Sequence, residues 1–201
     1  MSTVSLRPDL ALIAQWIKPG SRVLDLGCGD GALLAHLATH GVRGYGLEFD
    51  PDNIAQCLNH GVNVVEADVD DGLRDFSDGS FDTVVMTQAL QAMRRPDRVL
   101  AEMLRVGRQA LVTFPNFGHW RVRRALAAGR MPVTPSLPET WYSTQNIHLC
   151  TVADFEDLCR TQQWTVVKRG LLDLHLNESR MTRLLPNVFA EVALYLLEAP
   201  R

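Results

Sequence analysis

The chain has 201 residues, a length typical of one domain, and 46% of them are apolar, as expected for a protein with a sizeable core. Twenty basic and 23 acidic residues give a formal charge of -3 without a long run of either sign, which argues against a nucleic-acid partner and favours a small molecule or a protein. The stretch from Met1 to Leu10 lacks the pattern of an export signal, and no run reaches about 18 consecutive apolar residues. We therefore expect a cytoplasmic chain without a membrane partner.

Strand-like and helix-like segments alternate along the chain, which requires parallel strands joined by right-handed crossovers. Apolar periodicity and turn residues predict the elements of the first half. These are a helix over Leu10 to Ile17, a strand over Arg22 to Leu26, a helix over Ala32 to Ala38, a strand over Gly44 to Glu48, a helix from Asp50-Pro51 to about His60-Gly61 and a strand over Asn63 to Glu66.

The second half continues this alternation after the polar stretch from Asp68 to Gly79. The predicted elements are a strand over Phe81 to Met86, a helix over Pro96 to Val106, a strand over Gln109 to Phe114, a helix starting near Thr151, and strands over Trp164 to Arg169 and Val188 to Leu197. The last two strands are separated by about 18 residues without a clear helix, which favours an antiparallel pair. We predict one α/β domain over residues 1–201, with a doubly wound Rossmann-like fold: a mostly parallel seven-stranded sheet with an antiparallel last strand and helices on both faces.

Residues Pro115 to Cys150 interrupt the regular alternation. They contain four prolines, three tryptophan or tyrosine residues and the basic residues Arg121, Arg123 and Arg124. Long connections in compact domains are usually lids, binding loops or partner surfaces. We therefore expect the function particular to this protein in this insertion.

The turn Gly27-Cys28-Gly29-Asp30-Gly31 follows the first strand, where ligands of open parallel sheets bind. Glycine lets the chain turn tightly while its backbone approaches a ligand. The N–H groups of the following helix can receive a carboxylate, and Asp25 can bind an ammonium group. The alternative for Asp25 is a hydrogen bond to amides of the turn.

Further polar residues follow the next strands. Glu48 ends the second strand, where a carboxylate can accept both ribose hydroxyls of a nucleoside. Asp68 can accept from an adenine amino group while Val69 packs against the ring, or it can cap a helix. Phe49 can flank the adenine or pack on the second helix. Gln88 can face the cofactor or form a hydrogen bond at a helix start.

The glycine pattern alone does not identify the ligand, because Gly27-x-Gly29-x-x-Ala32 also satisfies the looser dinucleotide pattern. Three features favour S-adenosylmethionine (SAM) or its demethylated product S-adenosylhomocysteine over NAD. They are the acid two residues before the first glycine, the second acid after the third strand and the antiparallel last strand. The four cysteines, Cys28, Cys57, Cys150 and Cys159, have no metal-ligand spacing, so we expect reduced thiols and no metal.

Several segments together resemble the class I methyltransferase-like MetW family of methionine biosynthesis. They are Val23 to Gly31, Arg43 to Asp50, Gln88 to Arg95, Phe114 to Arg121 and Trp141 to Thr151, of which Phe114 to Arg121 and Asn146 to Thr151 are the most particular. The resemblance runs over nearly the whole chain. It implies a bacterial cytosolic protein that works with homoserine O-acyltransferase, whereas it does not by itself establish methyl transfer. The oligomeric state, a homodimer included, stays open.

No catalytic motif for methyl transfer is identified in the sequence, and single residues are the candidates. The segment after the fourth strand reads Gln88-Ala89-Leu90-Gln91 instead of the Asn/Asp-Pro-Pro-aromatic tetrad of many amino-methylating enzymes. Candidates are Asn116, His119 and His148, since an imidazole titrates near neutral pH. His148 can instead bond the local backbone, and His119 can belong to a partner surface.

Two functions of different class therefore remain. The favoured one is a SAM-binding regulatory partner of the acyltransferase, and the alternative is a methyltransferase acting on an unidentified small molecule. Aromatic and arginine residues are enriched at interaction hot spots. We expect a partner surface at Trp120, Arg121, Trp141 and Tyr142, for which packing of the tryptophans in the core is the alternative.

Overall fold

The computed structural model describes residues 6–173 and 175–200. The prediction that Met1 to Leu10 lacks an export signal falls partly on residues 1–5, which lie outside the described residues. Among the residues that are described, no helix has the length and apolar character needed to cross a bilayer.

The strands of the described chain form one mixed seven-stranded sheet in the order β3-β2-β1-β4-β5-β7-β6. They are β1 (Arg22–Leu26), β2 (Arg43–Glu48), β3 (Asn63–Glu66), β4 (Phe81–Thr87), β5 (Gly107–Pro115), β6 (Thr165–Leu172) and β7 (Val192–Glu198). β1 is parallel to both β2 and β4, whereas β7 is antiparallel to β6. The predicted doubly wound α/β fold with an antiparallel last strand is confirmed.

The helices alternate with these strands. They are α1 (Pro8–Ala14), α2 (Ala32–Ala38), α3 (Pro51–Asn59), α4 (Pro96–Val106), α5 (Trp120–Ala127), α6 (Val152–Thr161), α7 (Arg180–Leu184) and α8 (Pro186–Phe189), with 3-10 helices at Val69–Asp71 and Leu90–Ala92. Both predicted helix starts are capped: the Asp50 side chain accepts from the Asp52 N–H at the start of α3, and Thr151 and Asp154 form a capping box at the start of α6.

Several elements differ from the sequence prediction. β6 runs to Leu172 instead of Arg169, and the first helix begins at Pro8 instead of Leu10. The first helix ends at Ala14 instead of Ile17, because Trp16 and Ile17 bond carbonyls three residues back and tighten the last turn. The connection before the last strand is not free of helix, since it contains α7 and α8, and β7 therefore begins at Val192 rather than Val188. The insertion contains α5, which was not predicted.

The chain divides into two compact units. One comprises the described residues up to Thr87 together with Asp97–Leu111, and the other comprises Gln88–Pro96 together with the described residues from Val112 onward. The apolar residues of the first unit's strands, such as Leu24, Leu47 and Val85, are buried. The core of the second unit contains an aromatic cluster in which the Phe155 ring lies 4.7 Å from both Phe114 and Tyr195, measured between centroids.

In the first unit, β2 lies against the glycine turn at a position that only glycine fits. A Cβ atom at Gly46 would collide with the Sγ atom of Cys28, and its next neighbours would be Cys28 Cβ at 3.1 Å and Leu34 Cδ1 at 3.4 Å. The residue types at positions 28 and 46 therefore depend on each other.

We expect Gly46→Ala to lower the free energy of unfolding by about 1–3 kcal/mol, because it overpacks a buried contact. Cys28→Ala removes the colliding sulfur, so the double variant should recover part of that loss. Urea unfolding of the wild type, both single variants and the double variant would measure the coupling. Strictly additive effects of the two substitutions would contradict this account of Gly46.

Candidate functional site

The glycine turn after β1 is held against the end of β2 by its own backbone. The N–H groups of Gly27 and Cys28 both donate to the Leu47 carbonyl, at 2.8 and 3.1 Å. Gly27, Gly29 and Gly31 all have φ between +55° and +76°. This left-handed backbone is accessible to glycine and strained for most other residues, which explains the glycines in this turn.

Glu48, at the end of β2, accepts hydrogen bonds from backbone amides around the turn. Its Oε2 accepts from the Gly29 N–H at 2.8 Å, and its Oε1 accepts from the N–H groups of Phe49 and Asp50 at 2.9 and 3.1 Å. The carboxylate is buried. Oε1 already accepts two hydrogen bonds, whereas Oε2 accepts one and keeps a second lone pair that could accept from one ribose hydroxyl. The predicted contact of Glu48 with both ribose hydroxyls stays a prediction.

Asp25 is the most unusual group of this site. Its side chain is 1% exposed, and its Oδ1 atom is buried without a hydrogen-bond partner among the described residues. Burial, with a smaller contribution from the Glu48 charge, raises the pKa of Asp25 to about 7. The alternative of a bond from the turn amides to Oδ1 is thus not realised. An unpartnered buried carboxylate beside a ligand-type turn fits a cationic ligand group.

Open space surrounds the turn on the side of Gly29. A Cβ atom built on Gly29 would meet nothing within 4 Å. Phe49 is 66% exposed, which leaves most of its ring available for stacking instead of packing on the second helix.

Asp68 is exposed and caps the 3-10 helix by accepting from the Asp70 N–H at 2.9 Å, while Val69 is buried. The capping alternative for Asp68 is therefore observed, and its adenine contact stays a prediction.

Two thiols lie beneath the turn. The Sγ atoms of Cys28 and Cys57 are 3.7 Å apart, and Cys57 Sγ donates to the Gly29 carbonyl at 3.1 Å. Burial raises the pKa of both thiols. All four cysteines are free, and three of them are buried, with Cys150 half-exposed.

Gln88 belongs to the second unit and has an unusual backbone. It is exposed and has a φ of +54°, while its N–H donates to the Thr113 carbonyl and to Thr113 Oγ1 at 3.0 and 3.1 Å. A left-handed backbone at a residue other than glycine or asparagine is strained and tends to occur at functional sites. Its predicted cofactor contact stays a prediction.

Gln91 was not among the predicted site residues, yet it joins three family-specific segments of the second unit. Its buried Nε2 donates to the Pro115 carbonyl at 3.1 Å and to Cys150 Sγ at 3.4 Å. The backbone carbonyl of Gln91 accepts from the N–H groups of Ile147 and His148, both at 2.9 Å. The only sequence signal for this role is that Gln91 lies within the segment from Gln88 to Arg95.

Asn116 is a buried structural brace. Its Oδ1 accepts from the N–H groups of Gly118 and Val152, at 2.9 and 3.2 Å. Its Nδ2 donates to the carbonyls of Ala190 and Asn187, at 2.7 and 3.3 Å. All four hydrogen-bonding positions of the amide are therefore used, which explains its presence without catalysis; a catalytic role stays a prediction.

His119 is 3% exposed, and its Nδ1 atom is buried without a hydrogen-bond partner among the described residues. Burial lowers the pKa of His119, although the charge of the nearby Glu191 opposes this shift. The ring is therefore neutral at pH 7 and could accept a proton. Glu191 is itself buried, and its Oε1 accepts from the Ser136 N–H at 3.2 Å.

The remaining predicted residues lie on the surface of the second unit. His148 is exposed and its Nε2 donates to the Arg94 carbonyl at 3.1 Å, so it bonds a backbone group 54 residues away instead of the local backbone that was expected. Trp120 is 38% exposed, Trp141 72% and Tyr142 75%, which rules out packing of these side chains in the core. Their roles in partner binding stay predictions. Within the described part of the chain, no group of three or more His, Cys, Asp or Glu side chains could hold a metal ion.

The fold has close counterparts among solved structures. A SAM-dependent methyltransferase from Mesorhizobium loti superposes with a TM-score of 0.68 at 18% identity, covering 95% of this chain and 96% of that one. The [4+2]-cyclase SpnF superposes with a TM-score of 0.67 at 17% identity, covering 95% and 80%. The fold and the glycine turn define a protein of the SAM-dependent methyltransferase fold, and the cyclase shows that this fold also serves other reactions.

The sequence narrows this class to one family. The model of the methionine biosynthesis protein MetW matches residues 7–197, and the chain therefore belongs to that family. It is 37% identical over 168 residues to a bifunctional methionine biosynthesis protein MetXA/MetW from Rhodopirellula baltica, covering 78% of this chain and 27% of that protein. The chain spans about a quarter to two fifths of the length of the curated relatives it matches.

The buried Asp25 carboxylate should make stability fall as pH rises. Between its ordinary pKa of 3.8 and its raised pKa of about 7, the folded chain holds a proton that the unfolded chain has released, so folding is favoured at the acidic end of this range. Asp25→Asn removes this effect. Its free energy of unfolding relative to wild type should increase by about 2–3 kcal/mol between pH 5 and pH 8.

Urea unfolding at several pH values would measure this difference, with Asp75→Asn, at an exposed position of the same unit, as the control. A pH-independent difference for Asp25→Asn would show that the carboxyl titrates normally.

Proposed function

We propose that the chain binds SAM or S-adenosylhomocysteine at the glycine turn and acts as a regulatory partner of homoserine O-acyltransferase. The observation that carries the first half of this proposal is the buried Asp25 Oδ1 without a partner. A carboxylate left in this state is strongly unfavourable unless a cation or donor reaches it, and SAM carries an α-ammonium group.

The residues around the turn would hold the other parts of such a ligand. Glu48 would accept from a ribose hydroxyl with the remaining lone pair of Oε2, and the exposed Phe49 ring and Val69 would contact the adenine. Asp68 caps the 3-10 helix, but its side chain is exposed and would also accept from the adenine amino group. When bound, SAM supplies a methyl group activated by its sulfonium centre.

Regulation is preferred to catalysis because two of the three candidate catalytic residues have structural partners. Asn116 forms four hydrogen bonds, and His148 donates to the Arg94 carbonyl. SAM derives from methionine and thus reports the end product of methionine synthesis. In the relative from Rhodopirellula baltica, MetXA and MetW are named together in one bifunctional protein, and we take MetXA to be the homoserine acyltransferase. Fusion in a relative supports a physical partnership between the separate chains.

Calorimetric titration should give binding of SAM and S-adenosylhomocysteine and none of NAD. Asp25→Asn should weaken SAM binding by about tenfold or more, because a charge-assisted contact is worth roughly 1.5–3 kcal/mol. Asp75→Asn removes the same charge from an exposed position and should bind SAM as the wild type does. Tighter binding of NAD than of SAM would overturn the assignment of the site.

In a mixture of the two purified proteins, SAM should change the rate of the acyltransferase without being consumed. Asp25→Asn should require at least about tenfold more SAM for the same response. The alternative, methyl transfer to a small molecule, is favoured by the neutral, buried His119. It predicts transfer of labelled methyl from SAM to a metabolite and loss of that transfer in His119→Gln. Steady consumption of SAM would contradict the regulatory proposal in favour of this alternative.

A further inference from the structure

A groove on the second unit runs along α5 and the segment from Val133 to Pro135. Its volume is about 650 Å³, within the range of pockets that take ligands of considerable size. It is lined by Trp120, Arg121, Arg124, Ala125, Ala128, Val133, Thr134 and Pro135. The groove thus combines an aromatic ring and two guanidinium groups with a lining of small apolar side chains. Trp141 and Tyr142 are not among the lining residues.

The two arginines contact the same indole ring. The Cζ atoms of Arg121 and Arg124 lie 5.4 and 5.5 Å from the centroid of Trp120. Within residues 6–173 and 175–200, neither guanidinium forms an ion pair or a hydrogen bond. Arg123, which lies between them, is different, because its Nε donates to the Gly118 carbonyl at 2.6 Å. The Trp120 ring therefore orients two cations whose hydrogen-bond donors remain available.

This arrangement is unfavourable for the helix on its own. Arg121 and Arg124 are three residues apart on α5, where like charges repel. Arg121 also lies in the first turn of a helix that has no acidic residue there, although the macrodipole favours negative charge at this end. An anionic group bound in the groove would offset both effects.

We propose that this groove docks an acidic segment of the acyltransferase, with carboxylates on Arg121 and Arg124 and an apolar side chain between Trp120 and Val133. The inference rests on the partnership proposed above. Two free guanidinium groups match carboxylates in bidentate geometry, and tryptophan and arginine dominate the energetics of protein interfaces. The partner surface is thereby centred on α5 instead of on Trp141 and Tyr142.

The test measures the affinity of the purified chain for purified homoserine O-acyltransferase at low and at physiological salt. The double variant R121E/R124E should bind at least about thirtyfold more weakly than wild type, and Trp120→Ala about tenfold, since such residues are interface hot spots. Wild-type affinity should fall with salt, and this dependence should be reduced in the double variant.

The control is R180E/R183E, which makes the same charge change at the same spacing on the exposed α7. It should bind within about twofold of wild type, since neither Arg180 nor Arg183 lines the groove. Loss of the exposed ion pair between Arg183 and Glu178 should cost little stability. Thermal melting and SAM titration of each variant would verify that both units are folded.

The outcomes separate the two proposals. If the wild type binds the acyltransferase and R121E/R124E binds equally well, the groove assignment is wrong while the partnership stands. If the wild type does not bind the acyltransferase, both fail. Equal losses in the double variant and the control would indicate a general charge effect and overturn the groove assignment. Sedimentation in which R121E/R124E abolishes self-association of the wild type would assign the groove to a second copy of the chain.

Discussion

A carboxylate buried at the end of β1 without a hydrogen-bond partner is the constraint around which the first unit is organised. Burying Asp25 is unfavourable, and the raised pKa expresses that penalty. The neighbouring acid, Glu48, has the opposite environment, because three backbone amides donate to it. Glu48 thus fixes the turn through its hydrogen bonds, whereas Asp25 Oδ1 has no partner among the described residues. This division explains why two carboxylates occur so close together in an otherwise apolar part of the sheet.

The second unit contains three of the segments by which the sequence resembles the MetW family. The Gln91 side chain joins these segments at Pro115 and Cys150, and Asn116 ties the segment from Phe114 to Arg121 to Val152 and Ala190. These bonds account for the particular residues of those segments as structural requirements. The Trp120 side chain of α5 takes no part in these bonds and is exposed. Its presence is therefore not explained by them. A fold that also serves a cyclase does not itself decide whether methyl transfer occurs.

The sequence predicted elements whose signals are local. β1 was placed to the residue, and α3 begins where Asp50 and Pro51 indicate, because caps and β-branched runs act over a few residues. α7 was missed because its capping box pairs Ser179 with Thr182 in place of the usual Glu or Gln. The bonds of Glu48 and Asn116 could not be predicted, since they depend on partners that only the tertiary fold brings close. For Asn116 these partners are up to 74 residues away.

The bonds made by Gln91 also bear on the order in which the chain folds. Its side chain joins residues 24 and 59 positions away along the chain. Loop-closure entropy is lost before contacts of such separation form, and contacts between distant residues slow folding. We therefore expect the contacts of Gln91 to form late in folding, so that the segments they join reach their final arrangement only on a nearly mature chain.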